Sequence, residues 1–315
     1  MDNKKIISEK LSVSDNVIQL TDICYNKFCE QVNVENINYS QITCCAYNEG
    51  IIKVSTNGLL KTIEELTIKY TIYIVKNLTH YYYIEQYLNN FCYASYDDKK
   101  IEIETVFLIE EHKFVNDVKS IFSHGIGHLF QEDCGFKPSV NNKELYSKLL
   151  DYKKDSAKDK LLESVWKCLY YSFAHEQDAF AHQFYSYLKN KKSVGEFGDE
   201  IELFGNYVDF YNSLYNLLQI DSNKLNQILY SYGLTVNQFW KRVNFAHDRF
   251  VKKLSNAYKC YSREKVIENL NPLSFINNGI RLNERLSENY KTYTIQYEDK
   301  FCYGKLLKDK SKRLI

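Results

Sequence analysis

The chain has 315 residues and seven histidines, and two of these, His124 and His128, stand four apart in the segment SHGIGHLFQ. In a helix that spacing puts both imidazoles on one face, one turn apart, where two ring nitrogens can meet one tetrahedral metal ion. A pair at this spacing also arises by chance, so the setting matters. Here the pattern is a strand, a short turn and then a helix, with both histidines on or beside the apolar stripe. A third donor lies in LYYSFAHEQDAFAHQFYSYL, residues 169–188. On a helix Glu176 falls among Phe173, Ala179, Phe180 and Gln183, close to the inward face. A buried carboxylate must be paired, hydrogen-bonded or metal-bound. Glu176 is therefore expected as the third ligand of a His2Glu centre whose fourth position is open to water.

Other assignments of the same residues remain open. His124 and His128 also fit as core or boundary histidines without metal, and Glu176 as an ordinary surface or hydrogen-bonded carboxylate. His175 and His182, seven apart, are expected on the solvent side, although a rotated helix would make them ligands in place of Glu176. Gly125 and Gly127 within one turn cost about 1 kcal/mol each relative to alanine. They imply a close backbone approach or a distorted turn, either of which would threaten the geometry of the histidine pair. No phosphate-binding loop, dinucleotide fingerprint or nucleophile elbow occurs, so nucleotide binding and α/β-hydrolase chemistry have no support.

The elements that must carry these side chains follow from periodicity. Residues 101–109, IEIETVFLI, alternate and then become continuously apolar, as in a strand entering a buried sheet. From His112 to Gln131 apolar residues recur at three and four, which predicts a helix directly after it, stopped by Gly135 and Pro138. Before them, a helix capped at Ser14 or Asp15 is expected through Leu20 and Phe28, with β-rich runs at 42–47, 51–55 and 70–75. Beyond residue 140, helices are expected over 159–190, 196–220, 222–232 and 235–261. The tail from Pro272 holds a strand-like stretch at 290–297 and a basic end at 305–313. The fold class is thus α+β: a mixed N-terminal sheet over residues 1–110, then a mainly helical part over 111–315, within one continuous domain.

Composition limits the partners. Net charge is +1 from 41 basic and 40 acidic residues, so no global field gathers nucleic acid or an anionic membrane. No stretch approaches the roughly 18 apolar residues of a spanning helix, and the start MDNKKIISEKLS has no apolar signal region. Nine cysteines without a C-x-x-C pair suit free thiols in a reducing, cytoplasmic compartment. The 28 tyrosines and 18 phenylalanines are expected as core and half-buried positions rather than as ligand contacts.

Across residues 101–188 the chain resembles the gluzincin metallopeptidases, and in particular zincin-like proteins encoded by phages of Bacteroidetes, with an S-H-E-x-x-H-x-x-Q helix and a later L-Y-Y…E-x-x-A helix. Agreement is weaker in the helix holding Trp240 and Arg242. The resemblance implies that residues 101–109 are the edge strand and that His124, His128 and Glu176 hold Zn²⁺. It places Gln131 at the glutamine after the second histidine, and Tyr170 and Tyr171 at the paired tyrosines. Where the pattern has its general-base glutamate, this chain has Gly125. Acid–base assistance is worth roughly 10²–10⁴-fold in rate, so the implied protein is a catalytically impaired zincin, with Zn²⁺ retained or lost. The alternative is a non-enzymatic virion structural or host-directed interaction protein without metal, in host cytoplasm or virion, its partner a protein or peptide. A third reading is a peptidase whose base has moved to Glu132, Asp133 or Asp178. Gly125→Glu is expected to raise activity if the remaining site is intact.

Overall fold

The computed structural model of the protein describes residues 13–32, 45–79, 81, 92–115, 117–136, 140–152 and 159–264. The tail from Pro272, with its stretches at 290–297 and 305–313, and residues 42–44 of the first β-rich run lie outside these. The described chain divides into two compact units: Met1–Lys137 with Asp178–Asn190, and Pro138–Gln177 with Lys191–Ile315.

The first unit is built on a mixed sheet. Its strands are β1 (Cys45–Ser55), β2 (Glu65–Val75), β3 (Cys92–Ser95), β4 (Lys100–Leu108) and β5 (Lys113–Phe114), in the order β1-β2-β4-β3 with β5 also on β4. The β2–β4 pair is parallel and the others are antiparallel. Ile52, Ile68 and Ile101 fall in register across three strands and are all buried. Helix α1 (Asp15–Val32) covers this face with Val17, Leu20, Cys24, Phe28 and Val32. Phe28 packs its ring 5.5 Å from Phe122 and 5.6 Å from Tyr70. Burying each such side chain contributes about 1.5–3 kcal/mol. Helix α2 (Val118–Asp133) adds Phe122, Ile126 and Leu129 to the same core.

The burial of β4 alternates over its first half and is then continuous, as its apolar pattern requires. Three expectations change. First, β4 is not an edge strand: β2 flanks it on one side and β3 on the other. Second, the runs at 51–55 and 45–47 belong to one strand, because Glu49 and Gly50 keep their pairing with Thr71 and Tyr70. Third, the helix expected from His112 begins at Val118. Phe114 pairs with Phe107 in β5 instead, and the ring contact of these two at 5.2 Å uses the apolar period for a strand.

The second unit is helical: α3 (Val140–Asp151), α4 (Lys160–Tyr170), the start of α5 (Ala174–Asn190), α6 (Phe197–Leu203), α7 (Gly205–Leu218), α8 (Ser222–Ser231) and α9 (Val236–Glu264). Trp240, Val243, Phe250 and Leu254 of α9 form a fully buried stripe. The helix expected over 159–190 is broken at Ser172, whose hydroxyl donates to the Leu169 carbonyl at 2.6 Å. That local bond offers the backbone an alternative to the helix ladder. The stretch 196–220 is likewise divided at Phe204, which is extended. Sheet and helices together make the class α+β. No described helix is long and apolar enough to cross a membrane.

Candidate metal centre

Helix α2 carries both histidines and is fixed at each end. Asp117 caps it, accepting from the Ser120 N–H at 3.2 Å, and Asn190 Nδ2 donates to both Asp117 oxygens at 2.9 and 3.1 Å. At the other end Gly135 takes a positive φ of 76°, while the Phe136 N–H closes back on the Gln131 carbonyl at 2.9 Å. Asp133 accepts from the backbone N–H groups of Lys61 and Thr62 at 2.7 and 3.0 Å and from the Thr62 hydroxyl at 2.8 Å. Burial alone would raise its carboxyl, but these donors hold it below the usual range.

Both glycines of α2 are explained by close approach, and the helix runs through them unbroken. A Cβ at Gly127 would stand 3.3 Å from the Ala179 Cα, so α2 and α5 meet there almost backbone to backbone. A Cβ at Gly125 would stand 2.6 Å from the Cys92 Sγ of β3. Burial pushes the Cys92 thiol up to about 12, so it remains a protonated, apolar filler of that space. The glycines do not spoil the histidine pair. His124 Nε2 and His128 Nε2 lie 3.1 Å apart, near the ~3.3 Å that two nitrogens span when each is about 2.0–2.1 Å from one tetrahedral ion. Gln131 Oε1 stands 3.2 Å from His128 Nδ1. With the amide oxygen as acceptor, the proton sits on Nδ1 and the Nε2 lone pair faces the pair's common point.

Glu176 is fully buried, which excludes a surface role. It lies in the first turn of α5, where the helix dipole favours a negative charge. Tyr146 of α3 donates its hydroxyl to Glu176 Oε1 at 2.6 Å, and Tyr170 also hydrogen-bonds the carboxylate. Burial first, then the Glu176 charge, raises both phenols well above their ordinary values, so both stay protonated donors. The turn that opens α5 is held from α9: Arg249 Nη2 donates to the Ser172 carbonyl at 2.7 Å and Arg249 Nε to Gln177 Oε1 at 2.6 Å. Lys253 Nζ donates to the Ala174 carbonyl at 3.1 Å.

His124, His128 and Glu176 each offer one ligand atom, and these atoms all lie within 4.8 Å of one another. Phe180 of α5 stands 4.5 Å from the His124 ring. The three residues form a buried group able to hold a metal ion.

The expectation of solvent-side histidines on α5 is overturned. His182 is buried, its Nδ1–H donating to the Asp178 carbonyl at 2.8 Å and its Nε2 accepting the Ser14 N–H at 3.0 Å. His175 keeps only 14% of its side chain exposed and stands 3.5 Å from Glu176 Oε1. Of the acids considered as a relocated base, Asp133 is committed to the Lys61–Thr62 turn. Glu132 has its carboxyl raised by partial burial and by Asp97, with His128 opposing. Sequence reasoning missed Tyr146 and Cys92, which reach the site from α3 and β3 and share no spacing with it.

The fold and site therefore define an α+β protein with a candidate His2Glu metal centre. No protein-family model, curated protein or solved structure matches the chain.

Proposed function

We propose that the chain is a zincin-like protein that binds Zn²⁺ through His124, His128 and Glu176 and is impaired as a peptidase, of the kind its resemblance to phage-encoded metallopeptidases implies. The observation carrying this reading is the histidine pair, with Nε2 atoms 3.1 Å apart, and a fully buried carboxylate within 4.8 Å of them. Two imidazoles and one carboxylate are a donor set suited to zinc. When bound, Zn²⁺ supplies Lewis acidity and lowers the pKa of a coordinated water. The remaining work of a peptidase falls to a general base, and its position in the motif is Gly125. A Cβ there would stand 2.6 Å from Cys92 Sγ, so a glutamate enters only if that thiol moves aside. This packing supports a loss of catalysis that is deeper than one missing side chain.

Metal analysis of protein purified without added zinc tests the reading. Near-stoichiometric zinc is expected, disappearing in His124→Ala. Protein that stays zinc-free even after incubation with Zn²⁺ refutes it. Zinc-dependent peptide hydrolysis that survives purification and vanishes in Glu176→Ala would instead establish a relocated base. One observation favours the second reading, a metal-free interaction protein: the two Nε2 atoms are within hydrogen-bond distance and Tyr146 already serves Glu176, so these groups have partners without an ion.

A further inference from the structure

A separate feature lies wholly inside the helical unit. A cavity of about 270 Å³ opens among α3, the turn after α8 and the start of α9, lined in part by Asn142, Glu144, Lys148, Tyr232, Gln238 and Arg242. Arg242 is half-buried, with its guanidinium carbon 4.5 Å from the Phe173 ring centroid. Its Nε donates to Ser172 Oγ at 2.5 Å and its Nη1 to Asn142 Oδ1 at 3.0 Å. Burial first, and Arg249 second, lower it to about 10, so it is cationic at neutral pH. Both partners are neutral, and among the described residues no carboxylate is paired with it.

The amides on this wall have spent their oxygens. Arginine can only donate, so the Asn142 atom facing it is the carbonyl oxygen, which leaves Nδ2 to donate elsewhere. Gln238 Oε1 accepts from the Thr235 N–H at 2.9 Å and from the Thr235 hydroxyl at 3.1 Å, which leaves its Nε2 in the same position. Lys148 pairs with Glu144 at 3.0 Å, but their side chains are 40% and 68% exposed, and such pairs are weak. Burial of Tyr232 raises its phenol to about 12, so it too remains a donor. Arg242 and Lys148 against Glu144 leave one positive charge on a wall to which Asn142, Gln238 and Tyr232 add donors beside Leu145 and Leu234.

We propose that this cavity binds the carboxylate group of a small molecule carrying a single negative charge. A monoanion matches the wall's one unbalanced charge, and a planar carboxylate matches the fork of a guanidinium. A phosphate dianion would exceed that charge and meet Glu144. None of its lining residues is one of the three candidate metal ligands, so its test uses metal-stripped full-length protein.

Calorimetric titration with acetate, with inorganic phosphate, and with chloride at matched ionic strength reads the proposal directly. Saturable acetate binding that chloride does not reproduce is expected. Gln238→Glu should weaken it at least about tenfold, since it replaces the Nε2 donors by an anionic oxygen. It keeps the helix start intact, because Thr235 and residue 238 form a capping box that glutamate serves as well as glutamine. Lys148→Gln, at the surface end of the cavity, should also weaken acetate binding and provides a second variant that leaves the buried core untouched. Absence of saturable acetate binding, tighter binding of phosphate than acetate, or acetate binding indifferent to both substitutions overturns the proposal.

Discussion

The contact between Gly125 and Cys92 gives a sharp test of why α2 lacks a side chain beside its first histidine. An alanine Cβ at 125 would sit 2.6 Å from Cys92 Sγ, while Ala94 Cβ at 3.7 Å and Ile101 Cγ2 at 3.9 Å are ordinary neighbours. The overlap therefore concerns one atom. Gly→Ala within a helix gains about 1 kcal/mol from backbone propensity, whereas forcing extra volume into a packed core costs about 1–3 kcal/mol. Gly125→Ala in the natural background should thus be neutral to destabilising by about 2 kcal/mol. In a Cys92→Ala background the overlap is gone, and the same change should stabilise by up to about 1 kcal/mol. Urea unfolding of the four proteins, followed by far-ultraviolet circular dichroism, measures the coupling, expected at about 1–3 kcal/mol. Additive effects, with Gly125→Ala equally stabilising in both backgrounds, would mean that the thiol swings aside freely and would refute the reasoning. The cycle also bears on reactivation. Gly125→Glu alone is expected to remain inactive, and Gly125→Glu with Cys92→Gly is the combination in which peptide hydrolysis has room to appear.

Tyr146→Phe removes a charge-assisted donor from a buried carboxylate and should cost about 1.5–3 kcal/mol; an unchanged unfolding midpoint would contradict the hydrogen bond to Glu176. The same variant should bind zinc about 10–100-fold more weakly, as loss of an outer-shell partner does, which a competitive chelator titration reads. His182→Phe leaves the Ser14 N–H without its acceptor and should destabilise by about 1–3 kcal/mol; a neutral result in thermal unfolding would remove His182 from the core network. Asp133, held below its ordinary carboxyl value near about 3.9, contributes stability that is fully present above that value and lost as pH falls through its folded-state value. Asp133→Asn should therefore flatten the fall in urea midpoint between pH 5 and pH 2, and equally steep profiles would count against it.

The histidine pair and Glu176 were legible because a helix turns one-dimensional spacing into a shared face, and because a carboxylate on an apolar stripe requires a partner. The same logic failed where two periodicities overlap. Phe114 fits the helical repeat of α2 but pairs with Phe107 in β5, since a residue at a strand end satisfies either pattern. Polarity alone makes His182 solvent-facing, but its two ring nitrogens are satisfied by Asp178 and Ser14, the latter 168 residues away. The break at Ser172 carries no proline or glycine, and a hydroxyl-to-carbonyl bond leaves no mark on hydrophobic period. Cys92 and Tyr146 reach the site through tertiary packing, which no local spacing encodes.

The crossing of α2 and α5 ties stability and metal geometry together in a way one substitution can separate. Gly127 lies between the two histidines, and Ala179 lies three residues after Glu176, so this close approach of the helices is beside the centre itself. A Cβ at 127 would be 3.3 Å from the Ala179 Cα and 3.6 Å from its Cβ. The obstacle is backbone, which cannot rotate away, so α5 must retreat by a few tenths of an ångström. That displacement is small for packing, and the helix propensity gained, about 1 kcal/mol, offsets much of its cost. It is large for coordination, where ligand distances hold to about ±0.2 Å. Gly127→Ala is therefore expected to leave the unfolding midpoint nearly unchanged while weakening zinc binding at least about tenfold, or about 1.4 kcal/mol. If Gly127→Ala binds zinc as the parent does, the spacing of these helices does not set the centre, and the position of Glu176 must be maintained by Tyr146 and the α9 contacts alone.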